Sequence, residues 1–457
     1  MKKFNQGFIY FICVVAAFGG LLFGYDWVVI GGAKPFYEVY FGISDSAADQ
    51  GLAMTMALIG CMIGATLCGS LADRLGRKKL LIIASLIFLF SSIATGAFNN
   101  FAAFLTARFF GGIGIGVASG LSPMYIAEVA PANVRGRLVS LNQMTIVLGI
   151  LGAQVTNWLI ADEIPGGVVT LESWNAQMAW RWMFWAAAVP SIIFFLLALF
   201  IPESPRWLST FDTAKATNIL EKIGGKEYAA KEMQAIQAAN AEAANAAGLG
   251  TLFSKKYRSI LVLGIIIAVF QQWCGTNVIF NYAQEIFQSA GYEVGDVLFN
   301  IVITGVANVL FTILAIFTVD KWGRRSLMLL GAGGLCVIYA ILGTCYFFHV
   351  TGMGMIILVV AAIACYAMTL GPCTWVLISE LFPNNVRAIA VASCTFALWV
   401  GSSTLTYTFP FLNRGLGSYG TFWIYSGVCL CGFLFFLTRL PETKGKSLEE
   451  LEKELVK

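Results

Sequence analysis

The sequence predicts an all-α membrane protein with twelve transmembrane helices in two pseudo-symmetric six-helix bundles. Three observations predict it. First, 58% of the 457 residues are hydrophobic and 12% are charged, with a mean hydropathy of +0.77, whereas soluble domains carry roughly 25% charged residues. Second, the apolar residues gather into twelve stretches near the length of about 20 residues that a helix needs to cross a bilayer. Third, one set of charged motifs is written twice. G-S-L-A-D-R-L-G-R-K (Gly69 to Lys78), E-V-A-P-A-N-V-R-G (Glu128 to Gly136) and P-E-S-P-R (Pro202 to Arg206) are answered by T-V-D-K-W-G-R-R (Thr318 to Arg325), E-L-F-P-N-N-V-R (Glu380 to Arg387) and P-E-T-K-G (Pro441 to Gly445). The offsets Asp73 to Asp320, Glu128 to Glu380 and Arg135 to Arg387 are 247, 252 and 252 residues. A duplicated membrane protein places its working site between its halves, so the repeat points to transport.

The first span, 8–31, follows Lys2 and Lys3. It has no small-residue cleavage site behind it and continues into F-G-Y-D, so it is read as a retained helix and not a signal peptide. The second, 50–72, runs into the first charged motif, and 80–98 and 102–128 follow. The fourth span holds G-G-I-G-I-G-V-A-S-G at Gly111 to Gly120. That run follows no strand and lacks dinucleotide-loop spacing, so it is assigned to close helix packing by small residues. Spans 139–162 and 180–201 complete the first half. The polar segment 203–258, rich in Ala, Glu, Lys and Gln from Thr213 to Ala247, reads as short helices at the cytoplasmic face. Spans at 259–289, 296–319, 327–348, 355–381, 388–412 and 420–438 form the second half. The expected units are therefore 1–202, a linker at 203–258, 259–440 and a tail at 441–457. Gly445, Lys446 and Ser447 end like a phosphate-binding loop, but no glycine stands five residues before Gly445, so no nucleotide site is assigned.

The net charge of +4 matters through its placement. Lys2, Lys3, Arg74 to Lys79, Arg135, Arg137, the 203–258 segment, Lys321 to Arg325 and the tail fall on one side of a twelve-span topology. Glu38, Asp45, Asp49, Asp162, Glu163 and Glu172 mark the opposite loops. By the positive-inside rule both termini are expected in the cytoplasm of a cell membrane protein, the inner membrane if the source is Gram-negative. The basic balance is topological and gives no argument for nucleic acid. Eleven scattered cysteines without C-x-x-C read as small packing residues. The one histidine, His349, lacks companions for a metal site. No nucleophile–base arrangement, metal cluster or cofactor motif is present, so no enzyme activity, cofactor or obligate protein partner is expected.

Six motifs in order carry a resemblance. The G-S-L-A-D-R-L-G-R-K loop, R-F-F-G-G-I-G-I-G from Arg108, P-E-S-P-R-W-L, Q-Q-W-C-G-T-N at Gln271 to Asn277, G-P-C-T-W at Gly371 to Trp375 and P-E-T-K-G together resemble the sugar porter family of the major facilitator superfamily. The match spans essentially the whole chain. It implies the major facilitator fold and alternating access. It further implies proton-coupled symport of a monosaccharide, D-xylose or a related pentose or hexose such as glucose, with the sugar, the proton and the lipid bilayer as partners. A passive uniporter is the alternative within the class. A transport-dead sugar sensor would signal through an extended tail, and seventeen residues follow Leu440.

A monosaccharide offers hydroxyls and a weakly apolar face, so its site needs amides that donate and accept, and aromatic walls. Gln271, Gln272 and Asn277 are the leading candidates. They share no face of a regular helix, and Gly275 between them lets the helix unwind so that they converge. Asn281 and Gln284 continue the span, with interhelical hydrogen bonding as the other reading. Trp375, Trp399 and Phe23 are the candidate walls; both tryptophans match family positions that line the sugar site. The chain also departs from the family. Ile150 stands where the fifth span usually carries glutamine, with Gln154 one turn later as partial substitute. Asn281 and Tyr282 replace a tyrosine pair, and Leu398 replaces a polar residue. These changes leave the sugar open.

Asp26, three residues after Phe23, and Arg108 are the expected proton-coupling pair, because family symporters keep an aspartate and an arginine there while passive carriers lack the aspartate. A carboxylate within a membrane helix marks a functional site by default, and a static ion pair joining two helices is the other reading. Asp73, Arg77, Glu128, Arg135 and Glu203, mirrored by Asp320, Arg324, Glu380, Arg387 and Glu442, are the expected cytoplasmic gate. Exposed pairs are worth about 0–1 kcal/mol each, which suits a breakable latch; marking the interface and setting topology is the other reading.

Overall fold

The computed structural model describes residues 4–131, 134–162, 168–243, 252–292, 294–382 and 386–443. The tail beyond residue 443 and the residues Lys446 and Ser447 lie outside that range. Among the described residues eleven helices are long and apolar enough to cross a membrane, and the last of them, Ile389–Arg439, contains two spans. The twelve expected crossings are thus present. That helix belongs to a 53-residue element, Arg387–Arg439, which turns at Gly417 (φ 68°), a backbone conformation that side-chain-bearing residues rarely adopt.

The first bundle comprises α1 (Gln6–Phe41), α2 (Ala47–Leu75), α3 (Arg77–Ala97), α4 (Phe101–Val129), α5 (Arg135–Ile160) and a sixth span that starts with one π turn and continues as α6 (Trp180–Ala186) and α7 (Ala188–Ala198). Helices α2 and α4 meet along their small residues. A Cβ built on Gly112 would lie 2.0 Å from the Ala57 carbonyl oxygen, and one on Gly116 would lie 2.2 Å from that of Cys61. The Gly111 to Gly120 run is therefore a packing surface, as its sequence context implied. The linker forms α8 (Pro205–Leu208) and α9 (Thr213–Ala243), the latter kinked at Gly225.

The second bundle comprises α10 (Lys255–Trp273), α11 (Thr276–Asn281), α12 (Ala283–Ser289), α13 (Val294–Trp322), α14 (Arg324–Phe347), α15 (Met353–Met368), α16 (Leu370–Leu381) and α17 (Arg387–Arg439). Its seventh and tenth spans are broken helices. One breaks at Gly275 and Tyr282 and the other at Thr369. Irregular backbone at membrane depth is tolerated where it is buried in protein or lines a cavity.

One expectation needs correction. The first span was expected to end near residue 31, with Glu38 in the following loop. Helix α1 instead continues through Pro35 to Phe41, and Lys34 and Glu38 are buried on it. Their charges are paired, which removes the reason to place them in water.

Candidate functional site

The break in the seventh span brings the three amides together. Helix α10 stops at Trp273, Gly275 adopts φ 86°, and α11 restarts at Thr276. Asn277 then donates to the Gln272 carbonyl oxygen, Gln272 donates to that of Gln271 at 2.6 Å, and Gln271 donates to the Tyr366 hydroxyl on α15 at 2.9 Å. All three amides are buried. The relay leaves each amide with donor or acceptor capacity to spare. A Cβ at Gly275 would also press 3.0 Å from the Tyr425 ring, so both the dihedral and the space favour glycine.

Across the bundle interface lies a cluster of three rings. Trp399, 4% exposed on α17, has its centroid 5.9 Å from both Phe23 and Trp27 of α1, and those two are 5.5 Å apart. Its indole Nε1 is buried and has no hydrogen-bond partner among the described residues, and the same holds for Asn281 Oδ1 and both polar atoms of the Gln154 amide. A buried polar atom left unpaired is costly, so these atoms mark where a polar ligand would be rewarded. Gln154 reaches across from α5 to α13, where its Oε1 occupies the space a Cβ on Gly305 would need. Ile150 and Leu398 are both buried and bring no polar atom. Gln284 is buried and lines a different cavity, nearer the end of the span. Trp375 stands apart from these residues. It is 41% exposed on α16, and among the described residues no ring contact ties it to the cluster.

Next to the rings, Arg108 of α4 donates to Asp26 of α1 at 2.5 Å, with both residues 5% exposed or less. The guanidinium also lies 5.2 Å from the Phe184 ring centroid. The second Asp26 oxygen and Arg108 Nε have no hydrogen-bond partner among the described residues. A small cavity touches Phe23, Asp26, Trp27, Arg108 and Asn281 together, so the ion pair, the aromatic wall and the second bundle share one space.

The sequence model of the family described as "Sugar (and other) transporter" matches residues 12–455. The chain belongs to this family. It is 38% identical to the arabinose-proton symporter of Bacillus subtilis (strain 168), covering 100% of this chain and 97% of that protein. It is 37% identical to the D-xylose-proton symporter of Escherichia coli (strain K12), over 98% of this chain and 96% of that one. The solved structure of the xylose transporter XylE from E. coli in an inward open conformation matches with a TM-score of 0.86 at 35% identity, covering 98% of this chain and all of that one.

In this sugar transporter the duplicated motifs form duplicated geometry. In the first half Arg77 pairs with Glu128 at 3.0 Å and with Asp73 at 3.2 Å. Glu203 accepts from the backbone N–H groups of Arg77 and Lys78 at 2.8 and 3.0 Å, and Ser204 donates to Glu128 at 2.5 Å. In the second half Arg324 pairs with Glu380 at 3.1 Å, Glu442 accepts from the N–H groups of Arg324 and Arg325 at 2.9 and 3.2 Å, and Thr443 donates to Glu380 at 2.6 Å. Each glutamate of the P-E motif thus caps the positive N-terminus of a helix. Arg135 and Arg387 donate to the carbonyls of Ala130 and Phe382, and Arg135 also lies 3.9 Å from Glu232 of the linker. The Asp320 side chain lies outside the described residues. These pairs are made within one bundle, and the Arg77 and Glu128 side chains are only 11% and 12% exposed. The Asp73 side chain, by contrast, is 74% exposed.

Sequence reasoning missed Trp27, Tyr366, Lys34 and Glu285. Lys34, buried on α1, pairs with Glu38 at 2.8 Å and with Glu285 of the opposite bundle. Because the first span was expected to end at residue 31, Lys34 fell outside any span. For Trp27 and Tyr366 nothing beyond their presence in spans distinguished them from packing aromatics.

Proposed function

We propose that this sugar transporter carries a monosaccharide, a pentose such as D-xylose or arabinose or a related hexose such as glucose, together with a proton, by alternating access in the cell membrane. The observation that supports this best is the buried Asp26–Arg108 pair, in one cavity with Phe23, Trp27 and Asn281. The sugar binds between Gln271, Gln272, Asn277, Asn281 and Gln154 on the polar side, with Phe23, Trp27 and Trp399 as apolar walls. Ring faces cover the C–H surface of the sugar, and the amides exchange their mutual bonds for its hydroxyls. Protonation of Asp26 frees Arg108 and removes the attraction between α1 and α4, so the pair responds to the proton as the bundles rock. The repeated charge clusters hold each bundle rigid at its cytoplasmic face while the bundles move. Residues 1–202 and 259–440 are the moving units, 203–258 ties them together, and the termini with the 441–457 tail are cytoplasmic.

A proton moving down 100 mV carries about 2.3 kcal/mol, enough for roughly fifty-fold accumulation. The test is uptake of labelled xylose, arabinose and glucose into liposomes holding the purified protein, with and without an inward proton gradient. Accumulation that follows the gradient is expected. Equilibration indifferent to it would make this a uniporter, and no uptake of any of the three would overturn the substrate assignment.

A further inference from the structure

At the end of the bundles opposite the repeated motifs, charged groups bridge the two halves twice. The first bridge is Lys34 of α1, which is 3% exposed and contacts Glu38 of its own helix and Glu285 of α12. In the second, Arg414 of α17 donates to the carbonyls of Ser44 and Asp45 at 2.6 and 2.5 Å and to the Gln50 side chain at 3.3 Å. Gln50 joins the two, since it also donates to Glu38 at 3.2 Å. The network surrounds a cavity of about 210 Å³ that Tyr282, Gln284 and Asn413 also line.

The bundles are close-packed on this side. A Cβ on Gly31 would lie 2.9 Å from the Asn281 carbonyl oxygen, and one on Gly51 would lie 2.9 Å from Tyr407. Opening here must separate α1 from α12. A buried charge stripped of its partner is strongly destabilising. Lys34 avoids that, because Glu38 lies one helical turn away on the same helix and travels with it. Glu285, left behind, is hydrated by the water that enters as the bundles part.

We propose that Lys34 and Glu285 are positioning residues of the transport cycle. They hold the extracellular gate shut in the inward-facing state, and Glu38 is the resting partner of Lys34 once that gate opens. The inference rests on the alternating-access reading and on the cytoplasmic placement of the repeated motifs.

The test places a cysteine at Met54, buried on α2 beside the central cavity, and measures its labelling by a membrane-impermeant maleimide from outside, in right-side-out vesicles without sugar or gradient. The parent without that cysteine sets the background. Glu285→Gln is expected to raise the rate about tenfold, and exchanging the charges with Lys34→Glu and Glu285→Lys together is expected to return it. An unchanged rate in Glu285→Gln, or an exchange that leaves the rate high, would overturn the proposal. Should Glu285→Gln fail to reach the membrane, Lys34→Gln, which removes the other charge of the same pair, carries the same reading. Because labelling needs no cargo, failure of this proposal and failure of symport are separate results.

Discussion

On the proposed function, single side chains divide the site into a binding part and a coupling part, and substitutions should separate them. Asp26→Asn keeps the size of the side chain and removes its charge and its ionisation. Gradient-driven accumulation should be lost while sugar exchange at equilibrium persists, and accumulation equal to the parent's in vesicles would refute the coupling role. Gln272 stands at the centre of the amide relay, accepting from Asn277 and donating to Gln271. Gln272→Ala should weaken sugar binding about tenfold or more, since both neighbouring amides lose a partner as well, and calorimetric titration would read the loss. The amides, Asp26 and Arg108 were legible because polar groups in apolar helices are costly unless used. Trp27 and Tyr366 were not, because a tryptophan or tyrosine in a span is chemically indistinguishable from a packing residue until its neighbours are known.

Among the elements, the broken seventh span decides whether the amides converge. The sequence showed the device, a glycine between polar residues that a regular helix would spread around its axis. It could not show that the Tyr425 ring packs tightly against that glycine. Gly275→Ala adds both strain at φ 86° and a tight 3.0 Å contact with the Tyr425 ring. A folded protein with sugar binding reduced by more than tenfold is expected, since the strain alone is worth about 1–2 kcal/mol. Near-parental affinity in the same titration would show that the relay does not need the break. The first helix teaches the opposite lesson. Its last ten residues carry Lys34 and Glu38, and local composition placed them in a loop; their partner Glu285 lies 251 residues away from Lys34, and no local pattern reveals it.

For the whole molecule, the duplication in the sequence reappears as two equivalent charge clusters, each built within one bundle. Motif order and spacing made the pairing of the two halves readable. What was not readable is that the described pairs of each cluster lie within one half, because a charge list does not say which helix end faces which. The distinction has a measurable consequence. Mutations at sites with no shared partner add in free energy within about 0.5 kcal/mol, while residues of one network do not. Arg77 contacts Asp73, Glu128 and the Ala72 carbonyl, and Arg324 contacts Glu380. Arg77→Ala and Arg324→Ala should each lower thermal stability, since breaking a largely buried pair costs about 3–5 kcal/mol. In protein held outward-facing, where the cytoplasmic ends of the bundles meet, the double variant should lose the sum of the two. If the double loses much less than the sum, the clusters hold each other across the cytoplasmic gate, and the charges act as a latch between the halves instead of a brace within each.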